Sequence, residues 1–185
     1  MLSDIYRETE SKMEKTIESM GRELAAIRTG RASLSIFDGI TLDYYGSQSP
    51  LNQVATLSVP ESRLIVIQPW DPSIIKEIEK AIMRSDLGLT PNNDGKLIRL
   101  SVPPLTEERR KDLVKMAKKL GEDGKVRIRG IRREANEEIK KSEKDSDITE
   151  DESHKMQDKI QKLTDKHVEA IDKALQEKED EILNF

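Results

Sequence analysis

Apolar residues along this chain follow three different rhythms. In the first stretch Tyr6, Met13, Ile17, Met20, Leu24 and Ile27 keep a heptad-like spacing, broken only near Thr9 and Glu10. That spacing predicts an amphipathic helix over 2–28. Ser3 is placed to cap it, with Asp4 near the positive end of its dipole, and Thr29-Gly30 ends the pattern.

From 30 to 105 the period shortens. Ile40, Leu42 and Tyr44 alternate with Thr41, Asp43 and Tyr45, a strand closed by Gly46-Ser47. Val54–Val59 and Arg63–Gln68 read as two more strands with Pro60 between them. Asp71 and Pro72 then start a short helix as N-cap and first helical residue, with Trp70 expected to staple onto Ile75. Ile74, Ile78, Ala81 and Ile82 form its inner stripe and Gly88 its stop. Asn92–Gly95 reads as a turn and Lys96–Val102 as a last strand. The whole is a small strand-rich α/β unit.

Pro103-Pro104 cannot continue a strand, and Thr106 caps a long second helix. Leu113, Ala117, Leu120, Gly124, Ile128, Ile131, Ala135 and Ile139 give it one continuous apolar face. That continuity argues for an unbroken helix despite the two glycines of LGEDG (120–124). Thr149 and Glu152 form a capping box, and Met156, Ile160, Leu163, His167 or Val168, Ile171, Leu175 and Ile182 stripe a third long helix. Three such helices bury their stripes together. The predicted fold is therefore α+β: an elongated three-helix bundle (1–29 and 106–185) with an inserted α/β domain (30–105). The two joining strands of chain, Thr29-Gly30-Arg31 and Pro103-Pro104-Leu105, are expected to act as a hinge.

Charge adds a candidate surface. Lys111, Lys115, Lys118, Glu122, Lys125, Arg129, Arg132, Asn136 and Lys140 recur at the same helical steps as the core residues. This series begins two residues earlier, about 200° round the helix, so it is expected almost opposite the buried face. A cationic row is most often a solvated face. Here KVRIRGIRR (125–133) holds five basic residues and no acid. Its charge is not cancelled locally, and its arginines suit phosphate oxygens. Net charge is −4, yet 106–141 holds 13 Lys and Arg against 8 Asp and Glu. In 142–185 the numbers are 7 against 14. One basic surface on an acidic body points to a directed contact with a polyanion.

The composition excludes much else. There is no cysteine, so disulfides and thiolate chemistry are absent. His154 and His167 are the only histidines, no glycine loop has phosphate-binding spacing, and the carboxylates follow solvated helix faces. No catalytic residue, metal or cofactor is expected. No apolar run approaches a membrane span, and MLSDIYRETESK lacks the order of a secretion signal, so a cytoplasmic monomer without membrane contact is expected. A helical adaptor or chaperone that binds acidic protein surfaces is the alternative reading of the basic stripe.

Several segments together resemble the bacterial ribosome recycling factor family. They are RTGRAS (28–33), DYYG (43–46), SDLGLTPNNDG (85–95), PPLTEERRKDL (103–113), IRREAN (131–136) and QKLTD (161–165), in the family's order over essentially the full chain. The resemblance implies a bundle and a hinged α/β domain with an outline like transfer RNA. It implies binding to the post-termination ribosome through large-subunit ribosomal RNA. Elongation factor G with GTP would then separate the subunits and release mRNA and tRNA. The family's ribosome-contacting arginines carry over to Arg129 and Arg132, with Arg28, Arg31, Arg110 and Arg133. Arg129 and Arg132 also lie on the stripe, as does Lys125, and Arg133 sits beside it. Gly124 and Gly130 depart from the alanine and asparagine of many relatives, which puts local helix rigidity in question.

Overall fold

The structure, a computed structural model, describes residues 1–184. It divides into two compact units, Met1–Thr29 with the chain from Glu107 onward, and Gly30–Thr106.

The first unit is a bundle of three helices, α1 (Leu2–Ala25), α3 (Glu107–Lys144) and α4 (Glu150–Leu183). Helix α1 buries Ile5, Thr9, Met13, Met20 and Leu24. The polar interruption at Thr9 is absorbed because its hydroxyl donates to the Ile5 carbonyl at 2.7 Å, so no polar group is left bare in the core. The helix ends at Ala25, earlier than the periodicity suggests, although Ile27 is still buried. Ser3 is not its cap: the helix already starts at Leu2, and Asp4 pairs with Arg7.

Helix α3 runs unbroken through Gly121 and Gly124, about 57 Å at 1.5 Å per residue. Its buried residues are Leu113, Ala117, Gly121, Gly124, Ile128, Ala135 and Ile139, while Leu120 and Ile131 are only half-buried. Gly121, not expected in the core, lies there because the neighbouring helix comes close. A Cβ on it would meet Leu175 Cδ2 at 2.9 Å, and one on Gly124 would meet Met20 Sδ at 3.0 Å. In α4 the capping box is complete: Thr149 Oγ1 accepts from Glu152 N at 3.2 Å, and Glu152 Oε2 accepts from Thr149 N at 2.8 Å. His167 rather than Val168 takes the core position.

The second unit packs the helix α2 (Ile75–Arg84) against a four-stranded antiparallel sheet. The elements are β1 (Thr41–Tyr44), β2 (Ser47–Pro50), β3 (Ala55–Glu61), β4 (Leu64–Pro69), β5 (Pro91–Asn93) and β6 (Ile98–Ser101). Strands β1 and β2 form a separate hairpin, and the sheet order is β3-β4-β6-β5. Alternation along β4 and β6 sends Ile65, Ile67, Ile98 and Leu100 inward onto Ile75, Ile78 and Ile82 of α2, with Phe37, Leu42 and Leu51 closing the core.

Four local expectations are corrected here. Pro60 lies within β3 rather than between strands. That strand is at the sheet edge and its register shifts between Ser58 and Glu61, so the missing N–H costs no ladder bond. Trp70 does not staple onto Ile75: it is 63% exposed and its Nε1 donates to Thr56 Oγ1 at 2.8 Å. Helix α2 stops at Arg84 with Ser85 as its C-cap, short of Gly88. The turn before β6 is Asp94–Leu97, with Asn92 and Asn93 already in β5. Among the described residues no helix is long and apolar enough to cross a membrane.

Candidate nucleic-acid interface

The basic row of α3 does not lie opposite the core. Lys118, Lys125 and Arg132, seven residues apart, all reach α4. Lys118 Nζ lies 3.9 Å from Glu179 and Lys125 Nζ 2.5 Å from Asp172, while Arg132 Nη1 donates to Gln161 Oε1 at 3.1 Å. The row therefore flanks the core along the seam between α3 and α4. The angle measured from Leu113 is too large because Leu113, Leu120 and Ile131 mark one edge of the buried face. Gly121 and Ile139 mark the other edge, the one nearer the cations. A seven-residue repeat drifts only about 20° per heptad, so the cations stay on the seam over several turns.

Position along the seam decides which cations face solvent. Lys125 is fixed between Asp172 and Glu122, with its side chain 16% exposed. The hydrogen bond to Asp172 raises its pKa above the usual lysine value, against the pull of desolvation. Its charge is matched within the bundle. Arg110 is engaged as well: Nη1 donates to the carbonyls of Ile182 at 2.7 Å and Leu183 at 3.1 Å, capping the C-terminal turn of α4. It stands roughly 28 Å from Arg129 along α3. Arg28 is exposed just after α1, and Arg31, also exposed, is the second residue of the other unit.

Arg129, Arg132 and Arg133 are what the fold brings together. Arg129 and Arg133 are exposed and make no hydrogen bond or ion pair among the described residues, and Arg132 is steered by Gln161. Gln161 is itself held, donating through Nε2 to Asp165 at 2.8 Å. One turn beyond Arg132, Asn136 Oδ1 is buried with no hydrogen-bond partner among the described residues. Periodicity in α3 alone gives no hint of Gln161. It lies on another helix and becomes part of the face only once α3 and α4 pack. Three guanidinium groups over little more than one turn can grip adjacent phosphates of a nucleic-acid backbone by forked hydrogen bonds.

The two histidines lie apart from this face. His167 is buried with Nδ1 2.7 Å from the Leu163 carbonyl, and His154 is an exposed neighbour of Glu150. Among the described residues no group of three or more His, Asp and Glu converges as metal ligands would.

Comparison with known proteins decides the family. The family model described as ribosome recycling factor matches residues 20–183. The chain belongs to the ribosome recycling factor family. The ribosome-recycling factor of Desulfatibacillum aliphaticivorans is 56% identical over 185 residues, all of both chains. That of Oleidesulfovibrio alaskensis is 58% identical over 182 residues, covering 98% of this chain and 99% of its own. A solution structure of a ribosome recycling factor superposes with a TM-score of 0.73 at 45% identity, covering 100% of this chain and 98% of that one. A second solved structure is similar at a TM-score of 0.61 and 45% identity, covering 99% of each chain. It presents the T. thermophilus ribosome recycling factor and E. coli elongation factor G bound to the E. coli post-termination complex. As a member of the ribosome recycling factor family this chain is a translation factor. Its IRREAN segment is the part of α3 that carries Arg132, Arg133 and Asn136.

Proposed function

We propose that this chain binds the post-termination ribosome and, with elongation factor G and GTP, separates the subunits so that mRNA and tRNA are released. It breaks no covalent bond itself. In this reading it works as a monomer in the cytoplasm, where the ribosomes are. The observation that carries the RNA contact is the pair Arg129 and Arg133, exposed beside Arg132 and without hydrogen-bond or ion-pair partners among the described residues. These three anchor the bundle on phosphates of large-subunit ribosomal RNA. Lys125 and Arg110 hold helices together instead, as their bonds to Asp172 and to the end of α4 suggest.

The hinge belongs to the same proposal. Thr29 Oγ1 donates to Glu181 at 3.0 Å, which ties the last residue of the bundle segment to α4. Gly30 has φ +81°, and a Cβ there would also meet Leu105 Cγ at 3.2 Å. Only glycine fits that turn without strain. The bond at Thr29 anchors the bundle side of the joint. Motion is expected beyond it, through Gly30–Arg31 and Pro103–Leu105, so that a push from the GTPase on the inserted unit moves it against an anchored bundle.

Co-sedimentation with purified large subunits tests the anchor. Binding should fall steeply as salt rises, because phosphate contacts release counterions. Arg129→Ala with Arg132→Ala should weaken binding while the circular dichroism spectrum stays that of the parent. Unchanged binding by that variant would remove the arginine face from the mechanism.

A further inference from the structure

The hairpin turn of the second unit carries a residue that the fold does not favour. Tyr45 and Gly46 occupy the turn between β1 and β2 with φ +50° and +83°. Two positive φ angles make this a turn that prefers Asn-Gly, and a tyrosine there is held in a costly conformation. Its ring gains little from burial in return, being 81% exposed. Backbone strain kept under an exposed aromatic side chain is a reason to look for a partner.

The ring is also fixed in place. Tyr45 Oη donates to Asp71 Oδ2 at 3.1 Å, and the ring stands edge-on to half-buried Tyr44 with centroids 4.6 Å apart. Trp70, the residue before Asp71, is the second exposed aromatic, pinned through Nε1 to Thr56. It forms one wall of an open groove with Leu34, Pro50, Leu51 and Leu57. Two exposed aromatics are therefore held in place, Tyr45 by its hydrogen bond to Asp71 and Trp70 just before Asp71 in the chain, and such pre-ordering lowers the entropy lost on binding. The turn itself is acidic: Asp43 Oδ1 accepts from the Gly46 backbone N–H at 2.8 Å, so a second carboxylate stands at the turn whose tyrosine is bonded to Asp71.

We propose that Tyr45, Trp70 and Asp71 form a docking site for a basic protein segment, whose arginine or lysine side chain lies on the Tyr45 ring beside the Asp71 carboxylate. Cation–π attraction and charge complementarity favour that occupant. Ribosomal RNA is disfavoured, because its phosphates would meet an acidic surface. Asp71 stays ionised for this role: the Ser73 hydroxyl and backbone N–H hold its carboxyl below the usual range.

Two experiments on the full chain test the site, the first without ribosomes. Trp70 is the only tryptophan and immediately precedes Asp71, so its emission reports on the chain at that carboxylate. Octa-arginine should change that emission saturably at low salt, a uridine octanucleotide should not, and Tyr45→Asn should weaken the response at least about fivefold. Asparagine suits the turn, so Tyr45→Asn should melt no lower than the parent, and a lost response cannot be blamed on unfolding. No response to octa-arginine, or an equal response in the variant, overturns the proposal.

The second experiment rests on the ribosome-bound reading. Tyr45 is replaced by p-benzoylphenylalanine and irradiated on purified post-termination ribosomes with elongation factor G. A cross-link to a lysine- or arginine-rich protein segment supports the site. A cross-link to ribosomal RNA or to an acidic segment, or none in a chain that still sediments with ribosomes, overturns it. A chain that does not sediment at all counts against the function proposed above, and the emission titration then decides the site alone.

Discussion

Three glycines in α3 offer a direct test of how closely the bundle is packed. A glycine in a helix interior costs about 0.5–1 kcal/mol relative to alanine, so Gly→Ala is stabilising wherever the new methyl has room. At Gly130 a Cβ would meet nothing within 4 Å. Gly130→Ala should therefore return that full amount. At Gly124 the methyl would lie 3.0 Å from Met20 Sδ and 3.4 Å from Ile171 Cδ1. Both neighbours are buried, Met20 at 3% and Ile171 at 0% exposure, so neither can swing into solvent. Overpacking of this kind costs about 1–3 kcal/mol, which outweighs the helix gain and leaves Gly124→Ala net destabilising by about 1 kcal/mol. Gly121→Ala should fall between the two. Its contact is tighter, 2.9 Å, but it is to the methyl of half-buried Leu175, which can turn away. Urea unfolding followed at 222 nm reports mainly the three long helices. With a slope of about 2 kcal/mol per molar urea, the Gly130 and Gly124 midpoints should separate by roughly 1 M. If Gly124→Ala raises the midpoint as far as Gly130→Ala does, the close approach of α1 and α4 to α3 at that level is wrong.

Three further outcomes follow from the geometry. Asp94 accepts the backbone N–H of Leu97 and of Lys96 and then the Arg99 guanidinium, which lower its pKa from 3.8 to about 2. The unfolded chain therefore binds this proton first: the stabilisation is present above 3.8 and is lost as pH falls toward 2. Trp70 emission should show the second unit weakening over that window, less so in Asp94→Asn, and parallel curves would contradict the assignment. Thr149→Ala removes one half of the capping box of α4 and should cost about 1 kcal/mol in the urea experiment, with no change in slope. Lys125→Met should leave large-subunit binding and its salt dependence unchanged, while Arg133→Ala weakens binding and lowers the salt slope by about one. Equal losses would mean that the Lys125–Asp172 pair opens on the ribosome.

What the sequence made legible is what depends on strong periodicity. The three long helices, the capping box at Thr149 and Glu152, and the inward faces of β4 and β6 follow from spacing alone. Strands β2 (SQSP) and β5 (PNN) carry no apolar alternation, and they exist because their neighbours offer backbone partners. A staple pattern needs only sequence spacing and so misplaces Trp70, whose indole finds Thr56 on the neighbouring strand. For the candidate site, the arginine series was readable but its fate was not. Lys125 and Arg110 resemble Arg129 and Arg133 in sequence, and only the packing of α4 against α3 separates the paired cations from the open ones. The resemblance to the recycling factor family rested on short motifs spread over the whole chain, and the comparisons support it over that same length.

The most direct measurement is subunit separation, followed by light scattering. Post-termination ribosomes are mixed with this chain, purified elongation factor G and GTP, and each component is omitted in turn. The account predicts a fall in scattering only when all are present, slowed by Arg129→Ala with Arg132→Ala. Separation that proceeds equally without this chain, or no separation with all components present, would contradict it.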